Sequence, residues 1–309
     1  MVSITKLLNF ALPPLSLILL CILTLPLLLW KQIMNVKKLV YTENVANKVV
    51  LITGAASGIG QQLAYEYARR GAKLSLVDIR KEKLVTVADE ARSLGSPDVT
   101  IIGADVSKVQ DCKQFVEETV NYFGQLDHLV NNAGIGKPAA VEDMGDVSKY
   151  TPVMGTNFWG AVYGSLYAIP HLKISKGKII VVASACGWFP LPRISIYNAS
   201  KAAVINFFET LRMEVGSAIG ITIVTPGFMK TDLTSRAMEY EAILSKIPMA
   251  SASKCATAIV DGACRGDKYV ADPLWVRALF PWRVLYPELA DWAIRFIDEL
   301  YQNSHHKVK

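Results

Sequence analysis

The chain has 309 residues, 51% of them hydrophobic, and a formal net charge of +6. That apolar fraction excludes a disordered chain, and 20 Gly and 14 Pro exclude a collagen-like or low-complexity one. Lys6, Lys31, Lys37 and Lys38 put +4 of the +6 in residues 1–40, which hold no acid, and leave +2 for residues 41–309, too neutral for a nucleic-acid-binding body.

The first element is a run from Leu7 to Trp30, interrupted only by Asn9, Ser16 and Thr24. Such a run is long enough to cross a bilayer as a helix. It ends in bulky residues and shows no small-residue cleavage site, so it reads as a retained anchor rather than a signal peptide. The lysines that follow it orient the body toward the cytosol. Pro13, Pro14 and Pro26 leave two forms open, a single kinked span and a hairpin that enters one leaflet.

After a polar link, short β-branched runs alternate with helical patterns. Strands are expected at 48–53, 73–78, 99–105, 126–130, 178–183 and 220–225, with an edge strand at 268–270. Helices are expected from the glycine-rich turn to Arg70, and at 81–94, 109–123, 152–172 and 195–215. The strands are near-continuously apolar, which is the pattern of an α/β fold whose doubly wound parallel sheet is covered by helices on both faces. Cys21, Cys112, Cys186, Cys255 and Cys264 have no metal-ligand or redox spacing, and His128 and His171 stand alone, so no metal site is expected.

The first strand runs into Gly54-Ala-Ala-Ser57-Gly58-Ile59-Gly60. Glycines there let the backbone approach a phosphate while the following helix directs free N–H groups at it. Asp78 ends the second strand, where an acid suits the ribose hydroxyls of NAD; Arg80 suits the 2′-phosphate of NADP. Asp105, after the third strand, is a candidate for the adenine, or else a turn cap. Tyr197 and Lys201 are four apart on an expected helix and share one face, so an ammonium beside a phenol is expected to lower the phenol's pKa. Ser184 closes the fifth strand, at the sheet end where ligands bind, and can hold a substrate oxygen.

Thr53-Gly-Ala-Ala-Ser-Gly-Ile-Gly60, Asn131-Asn-Ala-Gly134, Ser184, Tyr197-Asn-Ala-Ser-Lys201 and Pro226-Gly227 together resemble the short-chain dehydrogenase/reductase family over about residues 45–275. The resemblance implies a Rossmann-like fold and hydride transfer between a nicotinamide and a substrate carbon. It implies Tyr197 as general acid–base, Lys201 as the residue that orients the ribose and tunes Tyr197, and Ser184 as the holder of the substrate oxygen. Asn157 matches the family's helix-kinking asparagine beside a proton-relay water, although Gly-Thr precedes it here. Asn132, Ala133 and Gly134 are implied to line the cofactor, and Thr231 to reach the nicotinamide amide.

Within the family, the proline-bearing anchor, Val77-Asp-Ile-Arg80 and Asn157-Phe-Trp-Gly160 resemble the plant steroleosins, hydroxysteroid dehydrogenases of lipid droplets. That resemblance implies a steroid- or sterol-like substrate, NADP(H) before NAD(H), residence on a lipid droplet or the endoplasmic reticulum, a homodimer, and a hairpin anchor. The expected organisation is an anchor at 1–40, a catalytic domain at 41–275 and an amphipathic extension at 276–309. The segment Phe228–Pro248, with Met229, Met238, Leu244 and Ile247, is expected to form a substrate lid. The aromatic, arginine-bearing stretch Leu274–Leu300 suits a membrane interface and equally a helix packed on the core or on a partner subunit. Two alternatives remain on these residues, a droplet coat protein that uses the fold for binding and a dehydrogenase of another apolar alcohol such as a retinoid.

Overall fold

The computed structural model describes residues 4–40, 42–235 and 249–306. They divide into two compact units at Glu43/Asn44. The N-terminal unit is one helix, α1 (Ile4–Val40), with Pro13, Pro14 and Pro26 inside it. Its first 27 residues, to Trp30, form the one described helix apolar and long enough to cross a membrane. At 1.5 Å per residue they reach about 40 Å, more than a hydrocarbon core of about 30 Å. No reversal occurs at Pro13–Pro14, so the hairpin expected from the resemblance is not the form seen here. Proline's fixed φ is itself helical, and only single backbone donors are lost. Ser16 Oγ donates to Pro13 O at 2.8 Å and Thr24 Oγ1 to Leu20 O at 2.6 Å, so both hydroxyls are paired within the helix.

The second unit is built on a seven-stranded parallel sheet in the order β3-β2-β1-β4-β5-β6-β7. The strands are β1 (Val49–Thr53), β2 (Lys73–Asp78), β3 (Val99–Gly103), β4 (His128–Asn131), β5 (Lys178–Val182), β6 (Gly220–Pro226) and β7 (Tyr269–Asp272). Between them run α2 (Gly58–Arg69), α3 (Lys81–Ser93), α4 (Val109–Phe123), α5 (Thr151–Met154), α6 (Gly160–Ser175), α7 (Ser195–Val215) and α8 (Ala252–Cys264). Alternate residues along each central strand enter opposite cores. Val50 and Ile52 join α2, α3 and α8 on one face, and Val49 and Leu51 join α4, α6 and α7 on the other. All five β1 residues are buried, which is why this strand reads as an unbroken apolar run.

Two expected elements differ. The helix expected at 152–172 widens into a π turn at Gly155–Trp159 between α5 and α6. The turn carries Asn157, whose amide bonds backbone outside the helix. β3 stops at Gly103, because Asp105 turns its carboxylate back onto Ser107. After β7 come α9 (Leu279–Leu285) and α10 (Pro287–His306). Phe280, Trp282, Trp292 and Phe296 on these helices are exposed, while Ala290 is buried.

Candidate active site

The strand order reverses between β1 and β4, the place where a parallel sheet opens a crevice at its C-terminal edge. Gly54 and Gly58 adopt φ of +65° and +60° in the turn that leaves β1. At Gly60 a side chain has no room, since a Cβ there lies 2.2 Å from Gly54 O and 2.4 Å from Asn132 Nδ2. Asn132 is therefore part of this cradle. Its Nδ2 donates to Thr53 O at 3.0 Å and Gly54 O at 3.1 Å, while its own N–H and that of Ala133 donate to Thr53 Oγ1. The Nδ2 group of Asn132 shapes the turn. Thr53 is the other half of this clamp, and a hydroxyl ending an apolar strand is its signal in the sequence.

At the end of β2, Asp78 is buried and both its oxygens are taken. Oδ2 accepts from Ala56 N–H at 3.1 Å, and Oδ1 from Arg80 N–H and Nε, each at 3.0 Å. Arg80 Nη2 reaches both Asp78 Oδ2 and Ser57 Oγ. Burial alone raises the Asp78 pKa; the Arg80 guanidinium and the two N–H groups outweigh it and hold the carboxyl below its ordinary value. The acid thus fixes a partly exposed guanidinium at the rim of the crevice. Asp105 Oδ1 is held by Ser107 N–H at 3.0 Å and Ser107 Oγ at 2.7 Å, the local cap that was its alternative reading.

α7 carries Tyr197 and Lys201 into the crevice, and Ser184 meets them from the end of β5. The Ser184 hydroxyl lies near the Tyr197 phenol and accepts from Cys186 N–H at 3.2 Å. Lys201 Nζ donates to Val182 O at 2.9 Å and lies 5.8 Å from the Tyr197 ring centroid. Burial pushes the Lys201 pKa down to about 8. The expected lowering of the Tyr197 pKa is not what the chain provides. Burial and the neighbouring Cys186 raise it, and the nearby Ser184 hydroxyl opposes them only in part. The ammonium is turned toward Val182 O, and desolvation disfavours the phenolate, so the chain alone presents a neutral phenol, a proton donor.

Asn157 is buried behind this group with its amide fully used. Its Oδ1 accepts from Ile135 N–H at 2.8 Å, and its Nδ2 donates to Ile135 O at 3.0 Å and Ser200 Oγ at 2.9 Å. Ser200 in turn donates to Tyr197 O at 2.7 Å, joining the π turn to α7. Ser200 was missed as a site residue although it lies inside the Tyr–Lys motif. Gly134 sits beside Lys201 Nζ, 3.4 Å from a Cβ placed on it. The Thr231 methyl lies over Gly58, and its hydroxyl pairs with that of Thr234 at 2.7 Å. A cavity of about 480 Å³ beside the start of α2 is lined by Gly58, Gln61, Thr231 and Ser251, and also by Lys230, a cation the sequence reading passed over.

On the open side of Tyr197, Gly136 leaves room beside the phenol ring and Leu233. Met229 is no lid residue: it is buried in the α2–α8 core and bridges to Ala250. Met238, Leu244 and Ile247 lie outside the described residues. The glycine cradle fits a dinucleotide, since its backbone is bare where a pyrophosphate approaches and the Ser57 side chain caps no N–H of α2.

The family model for short chain dehydrogenases matches residues 48–242. The chain is a short-chain dehydrogenase/reductase. It is 53% identical over 253 residues to the 11-beta-hydroxysteroid dehydrogenase-like 4A of Arabidopsis thaliana, covering 80% of this chain and 84% of that one. It is 47% identical to the 11-beta-hydroxysteroid dehydrogenase-like 2 of the same plant, with 97% of both chains covered. An 11-beta-hydroxysteroid dehydrogenase of Pinus massoniana is 46% identical over 94% of this chain and 85% of its own. A family member from Burkholderia phymatum, solved in complex with NAD, superposes with a TM-score of 0.74 at 25% identity, over 80% of this chain and 96% of that one. This short-chain dehydrogenase/reductase is thus an NAD(P)-dependent oxidoreductase related to the 11-beta-hydroxysteroid dehydrogenases.

Proposed function

We propose that the protein is a membrane-associated, NADP(H)-dependent dehydrogenase/reductase of a steroid- or sterol-like hydroxyl or ketone. The observation that carries this reading is the convergence of Ser184, Tyr197 and Lys201 beside the glycine cradle. Bound in that cradle, the nicotinamide cofactor supplies or accepts the hydride. Tyr197 hands its proton to the carbonyl oxygen in reduction and takes it back in oxidation. Ser184 holds that oxygen, Lys201 binds the ribose hydroxyls, and Asn157 keeps the π turn and α7 in register. Gly54, Ser57, Gly58, Ile59 and Gly60 receive the pyrophosphate, with Asn132, Ala133, Gly134 and Thr231 along the nicotinamide side and Asp105 toward the adenine.

NADP(H) is favoured because Arg80 is held at the rim by an acid whose own oxygens are occupied. A guanidinium fixed in this way suits a 2′-phosphate. The names of the relatives and Leu233 close to the Tyr197 ring support the substrate class. Residues 1–40 act as anchor, 41–275 as catalytic domain and 276–309 as extension, on a lipid droplet or the endoplasmic reticulum with the catalytic domain in the cytosol. Exposed Trp159, Leu166 and Met213 on the helices around the site support a homodimer. The test is turnover of steroid ketones with NADPH and NADH by the purified protein. Tyr197→Phe is expected to lower kcat about 10²- to 10⁴-fold with the fold intact; undiminished turnover in that variant removes the mechanism.

A further inference from the structure

Between the 3₁₀ turn Ala185–Gly187 and the first turn of α7 the chain runs Trp188-Phe189-Pro190-Leu191-Pro192-Arg193. The two prolines fix φ on either side of Leu191 and remove two backbone donors. Leu191 stands before Pro192 and is confined to extended backbone. The segment is therefore stiff. Phe189 N–H closes the 3₁₀ turn on Ala185 O at 2.8 Å. From Pro190 onward the segment is tied down by carbonyl oxygens instead. Asn198 Nδ2 donates to Leu191 O at 2.7 Å, and Ala139 N–H donates to Arg193 O at 2.7 Å. Arg193 has a φ of +63°, a left-handed conformation that costs a non-glycine residue free energy and that surrounding bonds must hold.

Asn198 follows Tyr197 directly on α7 and is buried. Its Oδ1 has no hydrogen-bond partner among the described residues, so the Leu191 bond is the polar contact of the amide. Taking an amide out of water costs free energy that this one short bond must offset. On a helix the side chains of adjacent residues point about 100° apart. Asn198 is thus turned away from the face that Tyr197 and Lys201 share, and it touches no reacting atom.

The other flank of the phenol is the segment that leaves β4. A Cβ on Gly136 lies 3.8 Å from Tyr197 Cδ2, and Ala139 follows three residues later. The two segments that leave β4 and β5 therefore meet at the Ala139–Arg193 bond, on either side of the proton donor. Asn198 ties this joined pair to the helical turn that carries Tyr197.

We infer that Asn198 is a positioning residue that fixes, through Leu191 O, the width of the crevice beside Tyr197. A rigid fused-ring ketone touches both flanks and needs that width; a small ketone touches one. This selectivity rests on the substrate class proposed above, whereas the hold on the segment does not.

The experiment compares the full chain with Asn198→Ala, which removes donor and volume, and with Asn198→Leu, which removes the donor and keeps most of the volume. Hydrogen exchange read by mass spectrometry is expected to quicken about three- to tenfold over residues 186–195 and at Ala139 in both variants, the effect of one lost hydrogen bond, and to stay unchanged in the sheet. KM for a fused-ring steroid ketone is expected to rise about fivefold or more. Both kcat and KM for cyclohexanone, and the pH profile of kcat, are expected to stay within about twofold of the parent. Unchanged exchange in both variants overturns the inference. So does parent behaviour in Asn198→Leu, which assigns the effect to side-chain volume. An equal loss of turnover for both ketones, or a variant that fails to fold, makes Asn198 a core residue and overturns it too. A parent that reduces cyclohexanone but no steroid ketone removes the proposed substrate class and the selectivity with it, and the exchange measurement still decides whether Asn198 holds the segment.

Discussion

At residue scale, the pair Asp78–Arg80 shows how two adjacent signals with opposite readings combine. An acid at the end of the second strand suits ribose hydroxyls, and an arginine suits a 2′-phosphate. The folded chain gives both Asp78 oxygens to Arg80 and Ala56. Arg80→Ala is expected to weaken NADP(H) binding by about 1.5–3 kcal/mol, roughly 10- to 150-fold, and to shift preference toward NAD(H) as Asp78 is released. Titration calorimetry with both cofactors checks this, and unchanged NADP affinity removes the assignment.

Lys201 provides a pH prediction. Its pKa is lowered by burial to about 8, so the ammonium is present below that pH and lost above it. The Tyr197 phenol is shifted the other way and stays protonated across the same range. Reductive kcat/KM is therefore expected to fall as pH rises through about 8, from loss of the Lys201 charge rather than of the phenol proton. A rate profile from pH 6 to 10 checks it; a limb that survives in Lys201→Met belongs to another group.

At element scale, the glycine turn, the end of β4 and α2 meet with no spare volume. Gly60→Ala places a methyl carbon against Gly54 O and Asn132 Nδ2, both parts of the same cradle. Overpacking of this kind costs about 1–3 kcal/mol. A lowered Tm together with lost cofactor binding is expected, and a variant that melts and binds as the parent does contradicts the packing. The π turn is the second element-level device. Its helix register is interrupted so that Asn157 spans Ile135 and Ser200, and Ser200 hands the connection to the Tyr197 carbonyl. Periodicity reads residues 152–172 as one smooth helix, because a one-residue widening hardly alters which positions are apolar.

At the scale of the whole molecule, α1 and the catalytic body are chemically unlike. An 18-residue stretch within the first 27 residues of α1 has a mean hydropathy of 2.4, while the body keeps its apolar residues in two cores on either side of the sheet. Ile18→Arg, near the middle of the run, is expected to cost about 2.5–3.5 kcal/mol of insertion. Flotation assays are expected to show reduced membrane recovery for that variant with turnover of a water-soluble ketone retained; full recovery argues against insertion of α1.

Some of this was legible in the residues alone. Alternating apolar runs and helical patterns determined a parallel sheet, because strands buried on both faces leave no other signature. The order of the Gly54–Gly60 turn, Ser184 and Tyr197–Lys201 determined which side chains are candidates, since the spacing of a strand end and of a helix face is local. What tertiary structure decided was partnership. Lys201 turns to Val182 O, Asn132 clamps the Gly turn, Asp78 is taken up by Arg80 and Met229 enters the core. Each of these depends on which groups long-range packing brings within about 3–4 Å and on how much water it removes, and a linear sequence states neither.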